Sequence, residues 1–377
     1  MSLIWPAKEA DVELTQPRLH AFVVAVGDYP HLMGGSGPLA ADPFNLSQVT
    51  TPRFTGPRIA EWLLTSLNSA ARPLGSLEVL LSPGGPINTP AGPVNADRAT
   101  MANIQQAFAA WLKRCSARPD NAALMYFCGH GMAKVSQYLL AEDFGDPNDP
   151  DIWKKCIDFD GLKIGMRKCQ AQTQLFFVDA CRETPFGVLA HTNAHGEPLV
   201  SATFNDPAVP CSAAYYATTD GRQAYGPDNG PTYFSQALLC CLNGVATQRK
   251  NGKWVVDTYS LGNALGQTMA QYARRFKLPL SCNPDPSGMA VIHEAAAPRV
   301  VVAIECSSEQ ANAVADIRVA NGANVLHSPP GNAKPIIEDV DAGNWTVAVT
   351  FPGGQFAAPP PELHVFMPPV FEGVPVP

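Results

Sequence analysis

The chain has 377 residues, a formal net charge of −7 and a charged fraction of only 16%, against roughly 25% in typical soluble domains. This length predicts two domains, and the negative charge disfavours nucleic acid or an anionic membrane as a partner. Because no apolar stretch approaches the ~20 residues needed to cross a bilayer and residues 1–14 lack a signal-peptide pattern, we expect a cytoplasmic protein without a membrane partner.

The first part of the chain alternates strand and helix patterns. A β-branched apolar run ends at a turn signal, Gly27–Pro30. The next apolar pattern has helical periodicity with Pro57 in its first turn. Thr100 is a suitable N-cap for a further helix. The predicted elements are a strand at 20–26, a helix at 57–70, a strand at 77–81 and a helix at 100–113.

Two apolar runs each end at a residue able to do chemistry. Residues 122–131 read AALMYFCGHG and residues 174–182 read QLFFVDACR. Each run is typical of a buried strand, and together they deliver His130 and Cys181 at strand ends. The remaining predicted elements are strands at 138–140 and 212–218 and helices at 161–168, 232–242 and 261–276.

This alternation predicts an α/β domain with about six mostly parallel strands and helices on both faces. In such sheets, functional groups gather beyond the carboxyl ends of the strands. We therefore expect His130 and Cys181 to face a common cleft.

After residue 297 the pattern changes to short strands separated by Gly, Pro, Asn and Asp, which is typical of an antiparallel, immunoglobulin-like β-sandwich. The predicted strands are 299–306, 315–319, 344–350 and 363–366. The predicted domains are an N-terminal extension (1–18), the α/β domain (19–296), the sandwich (297–360) and a proline-rich end of the sandwich or extended tail (361–377).

The ten cysteines form no CxxC pair, so we expect reduced thiols and neither a zinc ribbon nor a redox motif. Cys128, His130 and Cys181 could share a metal ion, but no fourth ligand is visible. An acidic run at 142–151 could bind calcium, although its spacing matches no EF-hand loop and favours a solvated loop. We expect no cofactor, with calcium as the alternative.

A cysteine next to a histidine has the parts for nucleophilic catalysis. The imidazole generates the thiolate and protonates the leaving amine. The oxyanion then needs backbone N–H donors, for which Gly131 and Cys181 are the candidates. From the residues alone, the alternative that both side chains are structural stays open.

The segments Cys128-Gly129-His130-Gly131 and Asp179-Ala180-Cys181-Arg182 resemble the His-Gly and D-x-C motifs of caspase-like cysteine peptidases, which include caspases, metacaspases and bacterial relatives. The resemblance covers roughly residues 19–290. It implies a caspase-like fold, His130 as general acid/base, Cys181 as nucleophile and a protein or peptide substrate. Bacterial relatives suggest a stress or antiviral defence role.

The resemblance also bears on specificity. Caspases that cut after Asp use an arginine in the loop after the first strand, and residues 30–42 contain none. Metacaspase-like enzymes that cut after Arg or Lys use aspartates instead. Asp179 matches one such position and Asp42 resembles a second, and a carboxylate favours a guanidinium or ammonium group. We predict cleavage after Arg or Lys, while the alternative that both aspartates only cap local turns stays open.

Two other functions remain as alternatives. Arg222 lies on the segment that lines substrate in the family, so an Asp-specific peptidase is one. A catalytically silent scaffold is the other. Residues 183–210 contain no Lys or Arg, which makes self-cleavage there after a basic residue unfavourable; Arg249-Lys250 and Arg274-Arg275 are better candidates. The sandwich would recruit a substrate, an activator or a partner protein.

Overall fold

The computed structural model describes residues 2–185, 188, 195–201, 203 and 208–373. The chain divides into two compact units, one of Met1–Gln236 with Cys282–Ala290 and one of Ala237–Ser281 with Val291–Pro377. Residues 237–281 thus group with the C-terminal strands, and the domain limits given above stay a prediction. None of the helices in the described residues combines the length and the hydropathy that a membrane crossing needs.

Strands make up most of the regular structure. In chain order they are β1 (Leu3–Trp5), β2 (Leu19–Val26), β3 (Leu74–Ser82), β4 (Gly85–Thr89), β5 (Gly92–Arg98), β6 (Ala122–Gly129), β7 (Gly131–Ala133), β8 (Gln137–Leu140), β9 (Cys156–Asp158), β10 (Thr173–Ala180), β11 (Cys211–Tyr216), β12 (Gln248–Lys250), β13 (Lys253–Asp257), β14 (Asn283–Ser287), β15 (Val291–Ala295), β16 (Arg299–Ile304), β17 (Asp316–Asn321), β18 (Asn324–Ser328), β19 (Ile336–Asp341), β20 (Gly343–Thr350), β21 (Glu362–Phe366) and β22 (Val370–Gly373). The α-helices whose limits lie within the described residues are α1 (Pro52–Thr65), α2 (Met101–Cys115), α3 (Phe159–Gly165), α4 (Tyr233–Cys240), α5 (Thr258–Phe276) and α6 (Glu309–Val314).

A large sheet forms the centre of the first unit. Within the described residues it has nine strands in the order β14-β11-β10-β6-β2-β3-β5-β4, with β1 paired to β3. Six of them, from β11 to β5 in that order, pair in parallel. The other three, β1, β4 and β14, pair antiparallel at or near the edges. The predicted sheet of about six mostly parallel strands is confirmed.

Helices cover both faces of this sheet. The ring of Phe22 on β2 contacts Trp111 of α2, with centroids 5.9 Å apart. A Cβ at Gly56 of α1 would lie 2.6 Å from the Cβ of Ala25, so α1 packs closely on that residue. Because Phe22 and Ala25 are an odd number of residues apart on one strand, their side chains point to opposite faces. The two helices therefore lie on opposite sides, as predicted.

The first residues of two helices can be compared with the sequence predictions, of which one is confirmed and one is wrong. The Thr100 side chain caps α2 by accepting a hydrogen bond from the Asn103 N–H, as predicted. The predicted start of the preceding helix at residue 57 is wrong, because α1 begins at Pro52 and Pro57 lies inside it. The additional first turn is stabilised by burial of Thr55 and Gly56 against the sheet.

The ends of β6 and β10 place the two reactive residues side by side. These strands are neighbours in parallel register, with Asp179 opposite Cys128 and Ala180 opposite Gly129. The residue that follows β6 is His130, and the residue that follows β10 is Cys181. The parallel pairing of β6 and β10 therefore places both residues beyond the same edge of the sheet.

The second unit contains the predicted sandwich. Its described residues form sheets in the orders β19-β16-β22 and β18-β17-β20-β21, which enclose a core around Trp345, Val302 and Val319. All strand pairs are antiparallel except β16 with β22. The extended tail expected near the C-terminus is wrong as far as residue 373, because β21 and β22 are strands of the sandwich; residues 374–377 lie outside the described part.

Candidate active site

A cavity of about 380 Å³ opens at the carboxyl ends of β6 and β10. It is lined by His130, Cys181 and Asp179, together with residues of the loops at 48–52 and 224–228. Three of the predicted site residues therefore share one cavity.

The side chain of His130 is oriented by a backbone carbonyl. Its Nε2 lies 2.6 Å from the carbonyl oxygen of Ser47. Since a carbonyl oxygen only accepts hydrogen bonds, Nε2 carries the proton and the lone pair of the neutral ring is on Nδ1. Burial lowers the pKa of His130 below its ordinary value, and the Ser47 carbonyl opposes this effect. The ring is thus prepared to accept a proton at Nδ1.

The surroundings of Cys181 favour the protonated thiol. The backbone N–H of Ala224 donates to Sγ over 3.3 Å. Burial raises the pKa of Cys181, and the Ala224 N–H opposes that shift. With the pKa of His130 lowered, the resting pair is a neutral thiol and a neutral imidazole rather than an ion pair.

Gly131 packs directly on the backbone of the nucleophile. A Cβ at this position would lie 2.5 Å from the carbonyl oxygen of Cys181, so a larger residue would displace the strand end. The Leu140 N–H donates to the His130 carbonyl, whereas the Ala133 N–H donates to the Glu183 carbonyl. Ladder alternation therefore directs the Gly131 N–H, like that of Ala133, toward the segment that follows Cys181. The oxyanion role of Gly131 and Cys181 stays a prediction.

Asp179 forms part of the cavity wall although it is buried. Its Oδ2 accepts hydrogen bonds from the hydroxyl groups of Tyr126, at 2.6 Å, and Thr232. Its Oδ1 has no hydrogen-bond partner among the described residues. Burial raises the pKa of Asp179 to about 6, although the hydrogen bonds from Thr232, Tyr126 and Cys128 oppose the shift. Near neutral pH the cavity wall therefore contains a carboxylate that contacts hydroxyl and thiol groups but no Arg or Lys of the described residues.

Asp42 is not among the residues that line this cavity. Its Oδ1 accepts a hydrogen bond from the N–H of Phe44 at 3.0 Å, which is the geometry of a local turn. Its role in substrate binding stays a prediction. The second carboxylate that does line the cavity is the exposed Asp228, which the sequence reading missed.

The acidic run at 142–151 is partly neutralised within the protein. Nζ of Lys155 lies 3.3 Å from a carboxylate oxygen of Asp143 and equally close to one of Asp149. Among the described residues, no group of His, Cys, Asp and Glu side chains is arranged to hold a metal ion. The calcium alternative thus has no support from these contacts.

The basic residues that bear on Asp specificity or on self-cleavage lie in different surroundings. Arg222 is exposed, while the neighbouring Arg182 pairs with Asp220 at 2.6 Å. Arg274-Arg275 lies within α5 and Arg249-Lys250 within β12, so cleavage at either position would require local unfolding. Much of the linker at 183–210 lies outside the described residues.

Other residues that contact the site belong to no recognisable sequence motif. Ser47 contributes a backbone carbonyl, which any residue has. Tyr29, three residues after the end of β2, accepts a hydrogen bond from the His130 N–H through its hydroxyl. Thr232 and Tyr126 contact Asp179 from distant parts of the chain.

Part of this chain is similar to known proteins. The family model described as the caspase domain matches residues 89–275. An uncharacterized protein of Sinorhizobium fredii is 34% identical over 209 residues, which cover 49% of this chain and 58% of that protein. A probable protease of a Desulfuromonadales bacterium is 26% identical over 200 residues, which cover 51% of this chain and 23% of that protein. The match thus spans little more than half of the first relative and about a quarter of the second.

Two solved structures align with most of this chain. Caspase-1 of Spodoptera frugiperda aligns with a TM-score of 0.43 and 15% identity over 75% of this chain and 93% of that one. A protein of Geobacter sulfurreducens aligns with a TM-score of 0.42 and 14% identity over 72% of this chain and 94% of that one. The matched region, residues 89–275, contains both strand ends of the cavity, with His130 and Cys181, and this region of the chain is similar to the caspase domain of the caspase-like peptidases.

Proposed function

We propose that this protein is a cysteine endopeptidase that cuts peptide bonds after Arg or Lys, with Cys181 as nucleophile and His130 as general acid/base. The observation that carries this proposal is that the carboxylate residue Asp179 lines the cavity that also holds the two reactive residues and has no cationic partner among the described residues. Among the described residues that line this cavity, none is Arg or Lys and two are Asp. A cavity with this charge complements a cationic side chain.

The proposed chemistry begins from the neutral pair. As Sγ of Cys181 attacks the peptide carbonyl carbon, Nδ1 of His130 takes the thiol proton. The imidazolium is stabilised by the Ser47 carbonyl at Nε2. The negative charge on the former carbonyl oxygen is stabilised by the N–H groups of Gly131 and Cys181.

The second half of the cycle uses the same imidazole. When the carbon–nitrogen bond breaks, Nδ1–H of His130 protonates the leaving amine and a thioester remains on Cys181. A water molecule then loses a proton to Nδ1 and attacks the thioester. The carboxylic acid product leaves as the thiol recovers its proton.

The proposed P1 contact is between the guanidinium or ammonium group of the substrate and the carboxylate of Asp179. A charged donor gives this buried carboxylate the cationic partner that it lacks among the described residues. The Asp-specific alternative lacks a cation in the described cavity wall. The silent-scaffold alternative is disfavoured by the shared cavity of His130 and Cys181. A role in bacterial stress or defence, and recruitment of a partner by the C-terminal sandwich, remain further proposals.

Fluorogenic peptides that end in Arg, Lys or Asp test this function directly. We expect turnover of the Arg and Lys peptides by the wild type and none by Cys181→Ala. Cleavage only after Asp would contradict the proposed specificity. Activity that survives in Cys181→Ala would contradict the proposed mechanism, and no cleavage of any peptide by the wild type would favour the scaffold.

A further inference from the structure

We propose that Gln48 is a positioning residue that sets the orientation of the His130 imidazole. The Gln48 side chain forms two hydrogen bonds with the backbone of one residue. The Tyr29 N–H donates to Oε1 at 2.7 Å, and Nε2 donates to the Tyr29 carbonyl at 2.9 Å. Nε2 also lies 3.2 Å from the Met33 carbonyl. The amide thus uses both its donor and its acceptor to fix the loop that contains it.

This loop, residues 46–49, is called the acceptor loop here because Ser47 supplies the carbonyl that accepts from Nε2 of His130. Backbone hydrogen bonds join it to the segment after β2 at each end. The Val49 N–H donates to the Gly27 carbonyl at 2.9 Å, and the Met33 N–H donates to the Leu46 carbonyl at 3.1 Å. The Gln48 side chain provides the attachment between these two ends, directly after Ser47.

Tyr29 gives the second connection to the histidine. Its hydroxyl accepts the His130 N–H at 2.8 Å, and its ring centroid lies 4.8 Å from that of the imidazole. Gln48 therefore acts on His130 by two routes, through its neighbour Ser47 at Nε2 and through Tyr29 at the backbone and ring face. A side chain that couples both contacts fixes the position as well as the rotation of the ring.

Loss of this amide has a defined chemical consequence. Without Gln48, the Ser47 carbonyl can move away from Nε2, and the neutral ring then has no preferred tautomer. The imidazolium formed during attack also loses part of its stabilisation. Because a misplacement of about 1 Å can cost about 100-fold in rate, we expect kcat to fall by about 10- to 100-fold while KM stays nearly constant.

The variant Gln48→Ala removes both hydrogen-bonding groups of the amide, whereas Gln48→Glu keeps the acceptor for the Tyr29 N–H and loses the donor. The matched control is Gln106→Ala, which removes an exposed glutamine from α2. Retention of the wild-type melting temperature in the Gln48 variants separates a local effect from misfolding.

The test measures the histidine itself by ¹⁵N NMR of imidazole-labelled protein, with His130→Ala used to assign the signal. In the wild type and in Gln106→Ala we expect His130 to carry its proton on Nε2. In Gln48→Ala we expect a mixture of both tautomers and a lower imidazole pKa. In Gln48→Glu we expect a tautomer ratio between those of the wild type and Gln48→Ala, while the added carboxylate raises the imidazole pKa. Wild-type tautomer, pKa and kcat in Gln48→Ala would overturn the proposal.

The inference rests on the proposed function only in treating His130 as the base. The NMR readout requires no peptide cleavage, so the two can fail separately. A tautomer change in Gln48→Ala, in a protein that cleaves no peptide, would support the positioning role and contradict the peptidase. Cleavage after Arg together with an unchanged tautomer would do the opposite.

Discussion

The hydroxyl group of Tyr29 accepts a hydrogen bond from the backbone N–H of His130 at 2.8 Å. This contact joins the end of β2 to the end of β6 at the point where the sheet stops. The hydroxyl lies 3.5 Å from the carbonyl of Leu140, to which it donates. It thereby satisfies a strand-end donor and acceptor that the sheet ladder leaves unpaired.

Tyr29→Phe tests this contact, because phenylalanine keeps the ring and removes only the hydroxyl. The His130 N–H then loses its partner, and we expect the free energy of unfolding to fall by about 1–2 kcal/mol. We also expect a severalfold lower kcat with little change in KM. Denaturant unfolding and peptide hydrolysis measure the two effects. Unchanged values of both quantities would show that this hydroxyl has no part in positioning the histidine.

The neutral resting pair predicts a specific pH dependence. His130 accepts a proton only when it is unprotonated, and its pKa is lowered, so the acid limb of reactivity should lie below the ordinary imidazole value of about 6.5. Because the pKa of Cys181 is raised, the free thiolate should form only above the ordinary thiol range of about 8.5. Between these two pH limits, the rate at which Cys181 reacts should change little with pH.

Alkylation of Cys181 by iodoacetamide measures this profile without involving the P1 pocket, since the reagent has no basic group. Cys181→Ala identifies the background from the other thiols. We expect the rate to fall as pH drops through the His130 pKa. A fast rate that persists at about pH 5 would instead indicate a resting thiolate–imidazolium pair.

Part of this site could be predicted from the sequence because it depends on strand order. His130 and Cys181 each end an apolar run, and parallel strands present their carboxyl ends at one edge. Asp179 is predicted by the resemblance of Asp179-Ala180-Cys181 to the motif of metacaspase-like enzymes, and its place two residues before Cys181 puts it on the same side of β10. The parallel sheet follows from the alternation of buried strands and helices.

The rest depends on contacts between distant loops. Ser47 acts through its carbonyl, and Gln48 through an amide that contacts the backbone of Tyr29. Neither contact requires a recognisable local pattern. Asp42 is predicted as a site residue but does not line the cavity, whereas Asp228 lines the cavity without having been predicted. Both differences arise because the loop conformation determines which polar side chain lines the cavity.

Asp179→Asn is expected to decrease activity and increase stability. Asparagine has no charge to pair with Arg or Lys, so cleavage after these residues should fall strongly. The native pKa of Asp179 is raised to about 6 from a reference of 3.8, which means that the ionised carboxylate destabilises the unliganded protein. At about 1.4 kcal/mol per pKa unit, removal of the charge stabilises by up to about 3 kcal/mol near neutral pH.

The destabilisation caused by the ionised carboxylate of Asp179 depends on pH. Above about pH 6 the carboxylate is ionised in both the folded and the unfolded chain, and the destabilisation is complete; below about pH 4 it is protonated in both and the effect vanishes. The difference in melting temperature between Asp179→Asn and the wild type should therefore grow from about pH 4 to about pH 6 and then remain constant. A variant that is less stable than the wild type at pH 8 would show that the hydrogen bonds from Thr232 and Tyr126 require the carboxylate.

Asp228→Asn should affect substrate binding far less than Asp179→Asn, because Asp228 is exposed and water screens its charge. We expect KM for an Arg peptide to rise about twofold to fivefold at low salt, with kcat unchanged, which corresponds to about 0.4–1 kcal/mol. Since screening weakens surface attraction, the difference from the wild type should shrink as ionic strength increases. Asp42→Asn is measured beside it, because Asp42 lies outside the cavity lining. A KM that rises in this variant would support the predicted contact of Asp42 with substrate, and an unchanged KM would contradict it. A salt-independent loss in Asp228→Asn, as large as that in Asp179→Asn, would place Asp228 in direct contact with the P1 side chain.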